Sequence, residues 1–402
     1  MDTLSTAAAG TYRTAATGRG ATDTTVSAQW ARRPADERFL DLASLRAAVA
    51  TRTAQSTDHT VEPTALTVVP TGGDLLFAPP RGEPCTATHW SFGQLCALAD
   101  GTSADQVRKT AGYGPVGLKI AAATLQLGLK AREAGPLAAY VRENGTTTLR
   151  AVTSRKYARI HDLAVVDTVM ELVDSDPRWK VPGMLDWASG CGGTYAHNPC
   201  VDVTRDTTTL YASDRDVWLF LCQDADPLRI GTLPDGSPDL VFRGFIVSNS
   251  EVGAQKFHLK TFLLRGVCCN RIIWGQEQVK AIAIRHVGEA GETFRTLAGP
   301  ALRAYADAGS AAFIGRIHAA QAAKVGGSEG EVLDWLMGRP LGFSRTQALK
   351  VMRRVRTEEG RDARSVWDVV QGITAIARDI GHQDRRVPLE SLAGRLLDTI
   401  DA

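Results

Sequence analysis

The sequence has no long apolar run and no regular arrangement of cysteines. No apolar stretch in the 402 residues approaches the ~20 residues that a membrane-spanning helix needs. The N-terminus also lacks the hydrophobic segment of a secretion signal. The seven cysteines stand at irregular spacings rather than as a disulfide framework, which fits a reducing compartment. The expectation is therefore a cytoplasmic protein without a membrane partner.

Recognisable metal and catalytic motifs are missing as well. The nearest approach to a zinc set is Cys191, His197 and Cys200, with Cys222 or Cys268 as a further ligand. These residues lack the paired C-x₂-C spacing that zinc sites prefer. No Ser/His/Asp, Cys/His or phosphate-cradle pattern occurs in the sequence. The sequence therefore predicts no catalytic motif, no bound metal and no cofactor.

A strong excess of one charge is missing too. Lys and Arg number 46 against 44 Asp and Glu, so the formal net charge at pH 7 is +2. A balance so close to neutral does not require a nucleic-acid partner, and any basic surface must be local. The hydrophobic content of 44% and the charged content of 22% are ordinary for globular proteins.

Composition divides the chain into three parts. Residues 1–29 are mostly Thr, Ala, Gly and Ser, which predicts a disordered tail because little apolar surface can be buried. Residues 30–288 alternate helical and strand-like segments, and the Gly/Pro-rich residues 176–206 are predicted to be an irregular insertion. Residues 289–402 have helical patterns only. The predicted fold class is α+β, with a β-rich antiparallel core, flanking helices and a mostly helical C-terminal region.

The densest series of strand-like segments lies between Leu210 and Gly288. Three strands are predicted there: Val217–Cys222, Leu240–Val247 and Phe257–Val267. The last two should form an antiparallel hairpin around the turn residues Ser248–Gly253. Gly244, inside the second strand, predicts a bulge or a close backbone approach. Upstream, Asn144-Gly145 predicts another hairpin turn.

A series of short motifs in this part of the chain resembles a known family. The motifs are LRAVTSRKYARIHD (Leu149–Asp162), SDRD (Ser213–Asp216), RGF (Arg243–Phe245), NSEVG (Asn249–Gly253), the pair Thr261-Phe262, VCxNxIxWG from Val267, and RHVG (Arg285–Gly288). In this order they resemble a family of phage- and plasmid-encoded proteins known only as a domain of unknown function. The resemblance covers roughly Phe92 to Gly288. It implies a mobile-element context and supplies no established activity.

One functional hypothesis is non-catalytic single-stranded DNA binding or annealing in replication or recombination. Arg155, Lys156 and Arg159 surround Tyr157, and in such a pattern cations can hold phosphates while the ring stacks a base. The same pattern also suits a core tyrosine flanked by solvated cations. The predicted nucleic-acid contacts are Arg155, Lys156, Tyr157, Arg159, Arg243, Lys256, Lys260, Arg265, Arg271 and Trp274. Further candidates for base stacking are Phe245 and Phe257.

Two other functional classes stay open. A metal-dependent nuclease would use His286 as base and Arg285 as transition-state clamp. Its Mg²⁺ ligands would be Asp214, Asp216 and Glu251. The same residues also suit a turn with a local ion pair and a histidine at the end of a strand. The third class is a structural or host-interaction protein that forms a homo-oligomer through the Ala-rich segment Glu292–Lys324.

A basic segment near the C-terminus offers another candidate for DNA contact. Thr346–Arg364 is rich in Lys and Arg, and Phe343–Thr346 before it suits a helix cap. This combination is typical of a helix-turn-helix, and equally of an amphipathic helix with a charged outer face. The pattern does not decide between the two interpretations.

Overall fold

The computed structural model describes most of the chain outside the N-terminal tail. The described residues are 35–132, 135–181, 208–223, 227–233, 236–266, 271–274, 282–307, 311–338, 341–380 and 383–400. The predicted tail 1–29 and most of the predicted insertion 176–206 lie outside these ranges. So do Cys191, His197, Cys200 and Cys268 of the candidate zinc set.

Strands and helices alternate up to residue 284, and helices follow. The strands are β1 (Arg38–Phe39), β2 (Ser56–Val61), β3 (Thr67–Thr71), β4 (Asp74–Ala78), β5 (Thr86–Ala87), β6 (Leu137–Glu143), β7 (Thr147–Thr153), β8 (Trp179–Lys180), β9 (Leu210–Ala212), β10 (Val217–Gln223), β11 (Leu228–Thr232), β12 (Pro238–Asn249), β13 (Phe257–Arg265), β14 (Arg271–Ile273) and β15 (Ile282–Ile284). The helices are α1 (Leu42–Ala54), α2 (His89–Leu98), α3 (Ala104–Ala111), α4 (Pro115–Lys130), α5 (Asp162–Ser175), α6 (Ala290–Asp307), α7 (Ala311–Ala322), α8 (Glu329–Met337), α9 (Arg345–Glu359), α10 (Val366–Arg378) and α11 (Gln383–Asp398). The α+β prediction is confirmed.

Within the described ranges, the larger sheet is antiparallel and has nine strands. Its order is β1-β9-β10-β12-β13-β14, with β11 beside β12, β15 beside β13 and β8 beside β10. The predicted β12–β13 hairpin is confirmed by a continuous register from Val241↔Arg265 to Ser248↔His258. Successive side chains on a strand point to opposite faces, so alternate residues of these strands enter two different hydrophobic clusters.

Gly244 marks a close approach rather than a bulge. It is the register partner of Phe262 on β13, and the pairing runs through it without a shift. A Cβ at Gly244 would lie 2.4 Å from the Phe262 ring, so the ring occupies the space that a side chain would need. Only glycine fits opposite Phe262 in this conformation.

The smaller sheet and its helices form a second hydrophobic core. The sheet has the order β2-β6-β7-β5, and the separate β3–β4 hairpin and the helices α2, α3 and α4 pack near it. Gly145 has a φ of 83° in the turn between β6 and β7, which confirms the hairpin predicted at Asn144-Gly145.

The C-terminal helices share a core with the larger sheet. Ring contacts join the two regions: Phe257 to Phe294 with a centroid distance of 4.9 Å, and Trp274 to Phe313 with 5.3 Å. The Ala-rich segment Glu292–Lys324 falls largely within α6 and α7, whose apolar side chains enter this core. In the part of the chain that is described, no helix combines the length and the apolar character needed to cross a membrane.

Candidate functional site

Four segments that follow or connect strands meet where the larger and the smaller sheet approach each other. These segments contain most of the short sequence motifs described above. The bridge Tyr157↔Val287 joins the segment after β7 to the segment after β15. The Ala158 N–H also donates to the His286 carbonyl at 2.9 Å. Ser250, after β12, donates to the Arg215 carbonyl between β9 and β10 at 2.6 Å. Residues that are far apart in sequence are therefore neighbours in this region.

A buried ionic centre lies beneath these segments. It comprises Arg142, Arg150, Asp162, Asp214, Asn249 and Glu251. Arg150 is only 2% exposed, and its Nη1 lies 3.0 Å from Glu251 Oε2. Its Nε is 3.4 Å from Asp214 Oδ1, and Arg142 forms a second ion pair with the same carboxylate. Strands β6 and β7 supply the arginines and loops of the larger sheet supply the acids, so the centre ties the two sheets together.

Two carboxyl groups within the centre have opposite pKa shifts. Burial and the neighbouring Glu251 raise the pKa of Asp162 well above its ordinary value. Burial would also raise the pKa of Glu251, but Arg150 and the backbone N–H of Asp162 hold it below its ordinary value. Asn249 donates to Asp162 Oδ1 at 2.7 Å. Of the two carboxyl groups, Asp162 therefore binds a proton more readily than Glu251.

The four residues of the nuclease hypothesis come together at this centre, but they are enclosed. Asp214, Asp216, Glu251 and His286 are each 6% exposed or less. His286 stacks on Tyr157 with ring centroids 5.0 Å apart, and its Nδ1 accepts from the Ile160 N–H. Burial is the main cause that lowers the pKa of His286 to about 4, so its ring is neutral at pH 7. Within the described residues, no cluster of three or more His, Cys, Asp and Glu is arranged to hold a metal ion.

Three of the cations predicted to contact nucleic acid lie in the interior and a fourth is held by protein groups, which corrects the predicted surface. Arg243 is buried on β12. Arg265 is held by Asp239 and Glu359, with its Nη2 2.7 Å from Asp239 Oδ2. Arg271 Nε lies 2.9 Å from Glu390 Oε1. The fourth is Arg159, which forms an ion pair with Asp58 at 2.8 Å and donates to the Glu251 carbonyl. Their charges are balanced by protein groups or withdrawn from solvent.

The predicted stacking residues are enclosed as well. Trp274 is buried and donates its Nε1 to Asp398 at 2.6 Å. Phe245 and Phe257 also lie in the core. Tyr157 donates its hydroxyl to the Ser250 carbonyl, and the His286 ring covers one of its faces. None of these four described rings presents a free face on which a base could stack.

The remaining predicted cations form an exposed group, which we call the basic turn surface. It comprises Arg155, Lys156, Lys256, Lys260 and Arg285. Lys260 is half-buried and the other four are exposed. Among the described residues, none of the five forms an ion pair. Arg285 was predicted only as a clamp for the nuclease, and the pairing of β15 with β13 reveals it as part of this surface.

Strand register places these cations side by side. Phe257 pairs with Ile284, so Lys256 and Arg285 are adjacent positions just beyond that pair. Alternation turns Lys256, Lys260 and Arg285 away from the core face occupied by Phe257 and Ile284. His258 lies between the two lysines, and its pKa is lowered to about 4 by burial and then by Lys260 and Lys256. The lowered pKa of His258 thus reflects how close Lys256 and Lys260 lie to its ring.

Arg155 and Lys156 complete the surface from the neighbouring segment. They directly precede Tyr157, which bridges to Val287, two residues beyond Arg285. A Cβ placed on Gly253 would be 3.7 Å from Tyr157 Cε2, so the turn before Lys256 also adjoins this segment. Three neighbouring turns therefore bring four of the cations to one region of the surface, and Lys260 extends this region along β13.

The basic segment Thr346–Arg364 forms most of α9 and the turn that follows it. Ser344 caps α9 in a capping box with Gln347, as the sequence suggested. Several of its cations have acidic partners: Arg354 with Asp379, Arg356 with Asp362 and Arg361 with Asp368. The exposed cations Arg345, Lys350 and Arg353 form no ion pair among the described residues.

No protein-family model matches the chain, and neither the curated proteins nor the solved structures contain a significant match. The function has to be inferred from the geometry of the chain's own residues. The basic turn surface and the buried ionic centre are the two features on which that inference depends.

Proposed function

We propose that the protein binds nucleic acid through its phosphates at the basic turn surface, without catalysing a reaction on it. The observation that carries the proposal is the gathering of Arg155, Lys156, Lys256 and Arg285 on three adjacent turns, with Lys260 beside them on β13. Within the described part of the chain, none of the five forms an ion pair. A phosphate backbone that meets such cations releases its condensed counterions, and this release drives binding. The buried arginines cannot contribute because carboxylates or the protein interior already hold them.

The enclosed aromatic residues indicate which part of a nucleic acid the basic turn surface contacts. Because the rings predicted to stack on bases are enclosed, the contacts are made to phosphates, which carry no sequence information. A protein that holds only the backbone leaves bases free to pair with a second strand. This property suits single-strand annealing in replication or recombination. The resemblance to phage- and plasmid-encoded proteins supports a cytoplasmic, mobile-element setting for that role.

Cleavage is not proposed because its candidate residues are engaged with one another. Asp214 and Glu251 both pair with Arg150 in the interior, and His286 is stacked beneath Tyr157. A phosphate could reach these carboxylates only if the junction between the sheets opened. No contact among the described residues favours that opening.

The test is binding of fluorescent single-stranded and duplex oligonucleotides at low salt, followed by anisotropy. The triple variant Arg155→Ala/Lys156→Ala/Lys256→Ala should bind both at least about tenfold more weakly, because three phosphate contacts are lost. The matched control is Arg345→Ala/Lys350→Ala/Arg353→Ala, which removes the same charge from α9 and should keep wild-type affinity.

Two outcomes would contradict the proposal. Wild-type affinity in the first triple variant would exclude the basic turn surface, and a loss confined to the control would move the site to α9. Oligonucleotides incubated with the wild-type protein and Mg²⁺ should stay intact. Cleavage that disappears in Glu251→Gln would establish the nuclease alternative instead.

A further inference from the structure

Helix α4 carries apolar residues on two opposite faces. Its inner face packs in the smaller core through Leu118, Ala121, Ala122, Leu125 and Leu129. Its outer face exposes Val116, Ile120 and Leu127, which are 71%, 52% and 70% exposed. A helix that is apolar all round is typical of one that is buried on every side. Among the described residues, none covers this outer face.

The outer residues follow the spacing of a helix–helix seam. Val116, Ile120, Ala123 and Leu127 are separated by four, three and four residues, which is the pattern of alternating a and d positions. We call these four residues the outer seam. Sixteen residues of helix extend about 24 Å, enough for a short pair of packed helices.

Lys130 favours an antiparallel orientation for a pair of α4 helices. It continues the outer seam three residues after Leu127, so in a parallel pair it would face its own counterpart, and like charges would repel. In an antiparallel pair with Ile120 opposite Ala123, Lys130 reaches Tyr113 of the second copy, where a cation–π contact is favourable. The chain thus supplies its own partner for Lys130, which favours a second copy as the occupant. Lys119, the other charged residue of the helix, lies beside the seam.

The two ends of α4 are complementary in shape. Tyr113, just before the helix, is 70% exposed. At the other end lies a cavity of about 530 Å³, whose lining includes Leu98, Asp100, Gly128 and Arg132. Antiparallel pairing brings each Tyr113 to the cavity of the other copy. A tyrosine suits such a site because its ring can contact apolar atoms while its hydroxyl meets polar groups.

We infer that a second copy of this chain covers the outer seam, as an antiparallel pair of α4 helices about a twofold axis. This replaces the Ala-rich segment Glu292–Lys324 as the self-association surface, because the apolar side of that segment is buried in the larger core. The seam is short, so the dimer should form at micromolar protein concentrations and dissociate on dilution. The inference is independent of nucleic-acid binding.

Sedimentation velocity across a dilution series tests the dimer. The wild-type protein should shift from dimer towards monomer on dilution, whereas Ile120→Glu/Leu127→Glu should be monomeric throughout. The matched control is Leu297→Glu on α6, which replaces another exposed leucine (47% exposed) and should leave the dimer intact. At a dilution where both proteins are monomeric, circular dichroism should show similar unfolding temperatures, because these side chains point away from the core.

Cysteine cross-linking tests the orientation. In a mixture of Val116→Cys and Leu127→Cys chains, the antiparallel pair brings the two new thiols together, and mixed dimers should form above the wild-type background. The described native cysteines Cys85, Cys96 and Cys222 are buried and should not compete. A wild-type monomer on the order of 100 μM, a dimer that survives Ile120→Glu/Leu127→Glu, or Val116→Cys linking to itself would each overturn the inference.

Discussion

The buried ionic centre and the basic turn surface both take residues from the same stretch of sequence. The charges of the centre are buried and paired, whereas those of the surface lie mostly exposed. Within Leu149–Asp162, Arg150 turns inward and meets two carboxylates. Arg155 and Lys156, only a few residues later, are exposed and form no ion pair among the described residues. Burial and ion pairing, rather than residue type, therefore decide whether a cation stabilises the fold or is exposed to bind a ligand.

The short motifs between Leu149 and Gly288 belong mostly to the inward set, and residues of different motifs contact one another. Arg150 pairs with Glu251, and Phe262 packs over Gly244. Asn249 bonds Asp162. Each contact joins residues of two different motifs. These contacts within and between the sheets are a sufficient physical reason for the ordered series, and they do not require a catalytic role.

The buried ionic centre and the basic turn surface should differ most in how strongly a substitution changes the free energy of unfolding. Arg150→Met leaves Glu251 buried without its main partner, and removing one member of a buried pair costs about 3 to 5 kcal/mol in the free energy of unfolding. Urea denaturation measures this change. Arg155→Ala is the matched control, and it should change stability by no more than about 0.5 kcal/mol because the side chain is exposed.

The double variant Arg150→Met/Glu251→Gln sharpens this result. It removes both charges, so it should be more stable than Arg150→Met alone. If Arg150→Met and Arg155→Ala had equal, small effects, the distinction between a structural and an exposed set of cations would fail.

A smaller effect should appear in the pH dependence of stability. The pKa of Asp162 is raised above its ordinary value of 3.8 in the folded protein. Its contribution to stability is therefore complete below that value and is lost as pH rises through the folded pKa. Asp162→Asn stays neutral, so its stability relative to the wild type should increase with pH. Denaturation at a series of pH values from about 4 to 8 measures the difference.

The opposite sign applies to Glu251, whose lowered pKa gives stability that is present at neutral pH and lost on acidification. The Asp162→Asn variant removes the contribution of Asp162 to the pH dependence of stability and leaves that of Glu251 in place. A difference between variant and wild type that stays constant over the whole pH range would show that Asp162 does not have the raised pKa.

Local pattern predicted the hairpins but not the partners of the charged residues. Turn chemistry and alternation identified β12, β13 and the turn at Gly145, because those signals are contained within a few residues. The pairing of Arg150 with Asp214 and Glu251 spans 64 and 101 residues, and nothing in the local sequence encodes it. Arg265 was assigned to a surface for the same reason, since its partners Asp239 and Glu359 lie on distant segments.

The most direct test of the central claim is the salt dependence of nucleic-acid affinity in the wild type and in Arg155→Ala/Lys156→Ala. For a single strand held by five phosphate contacts, the slope of log K against log salt should be about −3.5. The variant should bind more weakly, with a slope shallower by about 1.4, because two contacts are lost. An unchanged slope in the variant, or no binding by the wild type at low salt, would contradict the account.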